Sequence, residues 1–371
     1  MCKKYFKEKA FLFVFMLLYF QSCTNNDIDI TPINPTKFPE SFETFRIEEG
    51  CYSNLFVIDS FLIMTANCNL EDNDKETRIH VYNKENLKLI TKFSTVGLAS
   101  YEFSSTAFPL STIQKSDQIR FYDSNIWHFK TINLDKFLFG ETINECFIST
   151  PMEKNLIGNY NIKILDEYRF MGRNQSPFQK GMFFIYDTQK KEMNWIEPIP
   201  KVRGVKVQHK VDLHYGNFIA NNPKNIILYS SKFFDQVLFY DYNRKLLKHY
   251  AFSPLKTPIL YENERLPATG SLMYFFNVFA TSEYFFVNRR GGKLLAVGSE
   301  PLAPDDPSYI KQLLVFSWDG SLIKTFNEYI GDRFCYDNEF DVFYTIESSD
   351  SENDPHTIVR KFYLGDYLKE K

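Results

Sequence analysis

The sequence predicts an all-β protein, specifically a six-bladed β-propeller whose last blade is closed by a strand from the N-terminus. Three observations carry this. Strand–turn–strand units recur along the chain, their spacing is that of a propeller blade, and the final unit lacks one strand while the N-terminus has one to spare. The best-formed unit is Leu313–Phe326, LLVFSWDGSLIKTF, in which two alternating apolar runs flank Asp319-Gly320. Asp-Gly in that setting is a strong hairpin signal and predicts a two-residue type I′ turn, with positive φ at both central residues. Weaker copies are IHVYNKENLKLITKF (Ile79–Phe93), QIRFYDSNIWHFKTI (Gln118–Ile132), FFIYDTQKKEMNWI (Phe183–Ile196) and VLFYDYNRKLLKHYAF (Val237–Phe252). The aromatic beside each turn falls at Tyr82, Tyr122, Tyr186, Tyr240 and Phe316, so the units lie 40 to 76 residues apart. A repeat of that size built from strands is a propeller blade.

Composition agrees. Of 371 residues 44% are hydrophobic and 17% aromatic, with 38 Phe and 23 Tyr. Aromatic and β-branched side chains suit a pleated, half-buried surface. Only 15 glycines are present, which implies loops longer than minimal hairpins. The net charge of −3 leaves no basic footprint, which argues against a nucleic-acid partner.

In chain order, residues 1–23 read as an export signal. Lys3, Lys4, Lys7 and Lys9 precede the unbroken apolar run Phe11–Phe20. Ten residues make a helix of about 15 Å, half a bilayer core, so the run is a signal segment and not a spanning helix. It ends in Phe20-Gln21-Ser22-Cys23, with a small residue before the cysteine. Residues 24–40 are polar, with Pro32, Pro35 and Pro39, and read as a stiffened tether. Residues 41–371 form the propeller domain. Ser41–Glu48 alternates as one isolated strand, and Asn54–Ala66 with Ile79–Phe93 supplies a four-stranded unit. Gly216–Phe252 and Leu272–Phe326 supply two more. Phe334–Leu364 offers only three strands, and pairing it with Ser41–Glu48 would remove the open edge. Tyr309–Leu313 and Ile259–Glu264 are the only candidates for short helical turns.

Several stretches resemble known families. IHVYN, its turn, LKLITKF and the following VGLASYEF loop look like the TolB-like six-bladed β-propeller lipoproteins, in which the outer strand of the first blade runs into a Gly-Pro-Gly-Glu-Phe-like loop. Gly97, Glu102 and Phe103 match that loop, whereas Ala99, Ser100 and Tyr101 replace its glycines and proline. The FFIYD, VLFYD and VFSWDGSLIKTF segments match as repeats, and the likeness spans about residues 45–364. The Ser22-Cys23 junction likewise resembles a bacterial lipoprotein signal, in which the cysteine thiol carries the lipid. The resemblance implies fold and a lipid-anchored place in the bacterial cell envelope, with Cys23 as the attachment point. It implies no particular activity.

Catalytic motifs are absent from the sequence. There is no G-x-S-x-G elbow and no H-E-x-x-H, and Gly291-Gly292-Lys293 lacks the rest of a phosphate-binding loop. Trp318-Asp319 is single and not a WD repeat. Cys51, Cys68, Cys146 and Cys335 match no zinc spacing and are read as buried small hydrophobes, with Cys51 and Cys335 the pair that ring closure would bring together. Asp212 and His214 would share one side of an extended segment and form the only compact pair with ligand or acid–base character, close to His209. The acidic stretches Glu71–Glu76 and Ser348–Asp354 follow no calcium-binding spacing and read as solvated hairpin tips.

Propellers bind at one face, near the central channel. The candidate ligand face is therefore Glu102, Arg173, Asn174, His214, Arg289 and Arg290. Arginine forks onto carboxylate or phosphate, and the Gly291-Gly292 pair lets backbone approach a ligand. The expected function is a non-catalytic envelope binding module for a protein, peptide or glycan, without a cofactor. The alternatives are a lactonase- or esterase-type hydrolase holding a divalent cation in the channel, and a structural subunit of an envelope complex.

Overall fold

The computed structural model describes residues 29–40, 42–47, 52–66, 77–104, 106–174, 180–202, 213–256, 272–293, 309–328, 331, 333–348 and 357–369. Cys23, Cys51, Cys68, His209, Asp212 and the Ile259–Glu264 turn lie outside them, as do the Glu71–Glu76 loop and most of Ser348–Asp354.

The first strand, β1 (Phe42–Ile47), belongs to the last sheet. Blade 1 follows with β2 (Tyr52–Ile58), β3 (Phe61–Ala66), β4 (Thr77–Asn83) and β5 (Leu89–Thr95). Blade 2 has β6 (Phe108–Pro109), β7 (Ile119–Asp123), β8 (His128–Ile132) and β9 (Phe147–Pro151). Blade 3 has β10 (Asn159–Ile164), β11 (Arg169–Asn174), β12 (Phe184–Asp187) and β13 (Glu192–Trp195). Blade 4 has β14 (Gly216–Asn221), β15 (Ile226–Ser231), β16 (Gln236–Asp241) and β17 (Leu246–Ala251). Blade 5 has β18 (Leu272–Ala280), β19 (Tyr284–Lys293), β20 (Ile310–Ser317) and β21 (Leu322–Phe326). Blade 6 has β22 (Arg333–Asp337), β23 (Val342–Ser348) and β24 (Thr357–Tyr363). Each sheet is an antiparallel meander, and the six stand in a ring as a six-bladed β-propeller. In the sixth sheet β1 pairs antiparallel with β24, from Phe42 opposite Phe362 to Ile47 opposite Thr357.

The recurring aromatic–Asp pair divides its labour. The aromatic is buried between blades, and the next residue caps the turn. Asn83 Oδ1 accepts from the amides of Glu85 and Asn86 at 3.0 and 3.1 Å, and Asp187 Oδ1 accepts from those of Gln189 and Lys190 at 3.0 Å each. Such side-chain caps are why Asn and Asp begin turns. The Asp319-Gly320 hairpin differs from the expected type I′ turn. The Gly320 amide donates to the Ser317 carbonyl at 2.9 Å, and of the pair only Gly320 has positive φ, at +78°. It is a type I turn followed by a left-handed glycine, with the register shift between Val315 and Phe316 that such a bulge brings. A Cβ on Gly320 would come within 2.9 Å of the Phe239 ring, so space as well as φ requires glycine.

Two further expectations are corrected. The Gln118–Ile132 copy joins the second and third strands of blade 2, whereas the other four join third to fourth. Blade 2 has a two-residue inner strand, and its last two strands are separated by α1 (Leu134–Leu138) and α2 (Ile143–Cys146), which explains the uneven spacing. Tyr309–Leu313 is not a helical turn, since Ile310–Leu313 opens β20. A last short helix, α3 (Gly365–Lys369), ends the described chain, and no helix among the described residues is long and apolar enough to cross a membrane.

The core lies between blades and is aromatic. Phe239 (blade 4) meets Phe285 and Phe316 (blade 5) edge-on at 5.5 and 5.2 Å, and Phe129 stacks on Phe170 across blades 2 and 3 at 5.1 Å. Each such pair adds about 0.5–1.5 kcal/mol beyond area burial. Residues 29–40, expected to be tether, are docked. The Thr31 amide donates to the Ala251 carbonyl at 2.7 Å, and the Thr36 amide to that of Thr325 at 2.8 Å. Phe38 is 5% exposed and packs edge-on against Phe326 and Phe362. The stretch is a strap across the outermost strands of blades 4 and 5 and onto β24 of blade 6, so the folded domain begins before residue 41. Cys146 and Cys335 are free and buried, and burial pushes both thiols up.

Candidate functional site

The first strand of each blade faces the axis, and together they line a cavity of about 450 Å³. One residue per blade recurs on its wall: Asn54, Pro109, Asn161, Asn217, Asn277 and Arg333. Each is followed by an apolar residue, namely Leu55, Leu110, Ile162, Phe218, Val278 or Phe334. Strand alternation sends successive side chains to opposite sides, which sets the polar residue toward the axis and its neighbour toward the next blade.

Three cations share this wall, Lys163, Arg290 and Arg333, and among the described residues no Asp or Glu lines it. Lys163 owes its direction to a bulge. Tyr160 pairs with Arg173 and Lys163 with Met171, so the register shifts between them, and Asn161 takes up φ +53°. Asparagine tolerates that left-handed conformation better than most residues. The Lys163 ammonium donates to the Pro109 carbonyl of blade 2 at 2.7 Å, and burial without a carboxylate partner lowers it to about 8. Lys163 is half-buried and stands among the residues that line the cavity. The Arg333 guanidinium donates to the Tyr52 carbonyl of blade 1. Asn217 donates through Nδ2 to the Phe276 carbonyl at 2.5 Å, which leaves its Oδ1 as an open acceptor.

Toward the other end of the axis the polarity reverses. A cavity of about 280 Å³ there is bordered by Asp59, Asp337 and Glu339, with Lys84 bonded to Asp337 at 2.9 Å and to Glu339 at 2.6 Å. Among the described residues no group of three or more His, Cys, Asp or Glu could hold a metal ion.

Of the six residues expected on the ligand face, only Arg290 lines the axial cavity. Arg173 is 2% exposed and ties blades 3 and 4, donating to the Gly216 carbonyl at 2.8 Å and to the Tyr160 hydroxyl at 3.1 Å, with its guanidinium 3.5 Å over the Tyr215 ring. It borders a separate recess of about 330 Å³. Asn174 closes β11 opposite Asn159. Glu102 braces its own loop, accepting from the Ala99 amide at 3.0 Å and from the Thr95 hydroxyl at 3.2 Å, while Lys130 donates to its carbonyl. His214 is fully buried and stacked on Phe234 at 5.0 Å, and burial lowers it to about 4. Arg289 forks onto buried Asp235 of blade 4 at 2.7 and 2.5 Å, an inter-blade ion pair.

The wall residues left out of that set carry a repeat of their own. Four inner strands read YSNLF, YNIKI, GNFIA and FNVFA, each placing Asn just before an apolar residue. The signal is legible once the inner strand of each blade is known, but turn motifs draw attention to the outer strands.

No protein-family model matches the chain, and no curated protein matches it. Among solved structures, a member of the duf4221 family from Bacteroides vulgatus has a TM-score of 0.53 at 12% identity, over 87% of this chain and 96% of that one. A protein from Bacteroides fragilis described as exported has a TM-score of 0.50 at 10% identity, over 88% of this chain and 98% of that one. At such identities the likeness speaks for the fold alone.

Proposed function

We propose that this protein is an exported cell-envelope propeller of the TolB-like lipoprotein kind, anchored through Cys23, and that it serves as a non-catalytic module whose ligand sits in the axial cavity. The observation that supports this most is the make-up of the wall. All six blades contribute to it, and the four asparagines and three cations are hydrogen-bonding groups. Small-molecule sites are concave and carry a few convergent polar groups, with volumes of about 300–1,000 Å³, and 450 Å³ falls within that range. The export described for the Bacteroides fragilis neighbour is compatible with an envelope location.

The lactonase- or esterase-type alternative draws no support from this wall. A divalent cation needs oxygen ligands with negative charge among them, and the lining offers amides beside three like charges. No His or carboxylate is among the described lining residues, and His214 is buried elsewhere. The reading is tested by probing full-length protein, and an Asn217→Trp variant that fills the cavity, against glycan and peptide arrays. Binding by wild type that the filled variant loses supports it. Ester or lactone turnover that tracks the same substitution would replace it with the hydrolase reading.

A further inference from the structure

The recess that Arg173 borders, of about 330 Å³, adjoins the axial cavity, and Asn161 and Asn217 line both. Four aromatic rings from three blades wall it: Phe108 and Tyr122 from blade 2, Tyr160 from blade 3, and Tyr215 just ahead of β14 in blade 4. They are held in place. The Arg173 guanidinium lies 3.5 Å from the centre of the Tyr215 ring and 5.3 Å from that of Tyr160, and Phe108 stands against Tyr122 at 5.8 Å. Tyr215 and Phe108 are nonetheless 44% and 38% exposed. Aromatic rings that are braced from within the fold and left open to solvent mark a binding surface.

The two spaces offer different groups to one ligand. An aromatic face carries negative partial charge and attracts the polarised C–H bonds of a saturated ring. An asparagine amide both donates and accepts, as a pair of neighbouring hydroxyls does. Asn54, Asn161, Asn217 and Asn277 stand around the axis, one each from blades 1, 3, 4 and 5. A sugar ring has an apolar face for the aromatics and hydroxyls around its circumference for such a circle of amides. An extended peptide carries its N–H and C=O groups along one line, which a circle answers less well.

We infer that the recess and the axial cavity form one site for a saccharide of two or more rings, with one ring stacked on Tyr215 and Phe108 and the next reaching Asn161 and Asn217. This deepens the binding-module reading above and rests on it. Sites of this kind are lined by aromatic side chains, with a few placed polar groups that fix the ligand's orientation. Lys163 and Arg290, on the axial wall, add N–H donors for further hydroxyls. Because Arg173 already holds the Tyr160 and Tyr215 rings, little ordering is left to be done when the sugar arrives.

The test probes full-length protein on an array of mono-, di- and trisaccharides and of peptides, with calorimetric titration of what binds. Wild type is expected to bind a di- or trisaccharide about tenfold or more tightly than its component monosaccharides. Tyr215→Ala and Phe108→Ala should each weaken that binding by about tenfold with the folded state intact by circular dichroism, whereas Tyr215→Phe, which keeps the ring, should bind as wild type does. Asn217→Trp, which fills the axial cavity, should abolish it. Saccharide binding that Asn217→Trp abolishes but both alanine variants spare overturns the part assigned to the recess, and so do monosaccharides bound as tightly as the longer sugars. In either case the binding module stands. Peptides bound in place of saccharides, and lost in Asn217→Trp, overturn the ligand class and again leave the module. Binding indifferent to Asn217→Trp, or no binding to anything on the array, overturns both readings.

Discussion

Lys163 of blade 3 places its ammonium 2.7 Å from the carbonyl of Pro109 in blade 2, and among the described residues no carboxylate forms an ion pair with it. The charge is held in the wall at a cost to folding. Its folded value of about 8 lies below the ordinary lysine value of 10.5. The penalty is therefore fully present below about pH 8, fades as pH rises from there, and is gone above about 10.5. Lys163→Met should stabilise the protein at pH 7 by about 1 kcal/mol once screening by cavity water is allowed for, and raise the melting temperature by about 2 °C. The gain should vanish by pH 10.5. Thermal melts of the two proteins from pH 7 to 10.5 check this. A substitution that stabilises the fold while weakening ligand binding is the mark of a residue kept for function.

The strap makes a different claim. Phe38 contacts Phe362 at 5.0 Å and Phe326 at 5.3 Å, so one side chain joins the strap to the outermost strand of blade 5 and to β24 of blade 6. Phe38→Ala should cost about 3 kcal/mol, as for other buried phenylalanines. A double-mutant cycle with Phe362→Ala should show coupling of about 1 kcal/mol by urea denaturation. Additivity would mean that the strap only lies on the surface.

His214 makes the protein acid-sensitive. It is buried neutral with a folded value of about 4, below the 6.5 of the unfolded chain. As pH falls from 6.5 the unfolded state takes up the proton first, so the contribution is full above 6.5 and is lost progressively down to about 4. The loss is roughly 3 kcal/mol in all. His214→Phe, which keeps the stack on Phe234, should flatten the decline of urea stability between pH 6.5 and 4. Equal slopes in the two proteins would contradict this.

How much of this was legible in the sequence follows from where the signals sit. Turns announce themselves through residues such as Asn83, Asp187, Asp241 and Gly320, whose chemistry is local, and they lie at blade edges. They therefore gave the repeat and the fold. The axial wall is assembled from residues far apart in sequence, one per blade, and Asn54 or Asn277 alone looks like any polar residue in a strand. Arg173, His214 and Arg289 drew attention because arginine forks onto anions and His214 follows Asp212, yet Arg173 and Arg289 are spent on inter-blade contacts and His214 is buried against Phe234. The bulge that turns Lys163 into the cavity depends on pairing between β10 and β11, which no local pattern encodes. The strap was misread because three prolines and several polar residues outweigh one Phe38, whose partners lie near residues 326 and 362.

The proposed anchor rests on Cys23 ending a basic, then apolar, segment. With lipid attached, the full chain should partition into the membrane fraction and incorporate labelled palmitate in a bacterial host. Cys23→Ser should abolish both while leaving the propeller folded, because residue 23 lies ahead of the strap that begins the described fold. Palmitate incorporation that survives the substitution would exclude the anchor at this position.

Arg289 and Arg290 are neighbours on β19 with opposite assignments, because successive side chains on a strand point to opposite faces. Arg289 forks onto Asp235, 1% exposed, at 2.7 and 2.5 Å, and Arg290 lines the axial cavity. Breaking a buried pair from one side leaves an uncompensated charge and costs about 3–5 kcal/mol, whereas replacing both partners with apolar groups can be nearly neutral. Arg289→Met should therefore lower urea stability by about 3 kcal/mol, and adding Asp235→Leu should recover most of it. In the fraction that folds, Arg289→Met should bind the axial ligand as wild type does. Arg290→Gln should weaken binding, and by more than Arg289→Met does. Titration and denaturation on the same two variants separate the roles, and a shared phenotype would place both arginines in the scaffold.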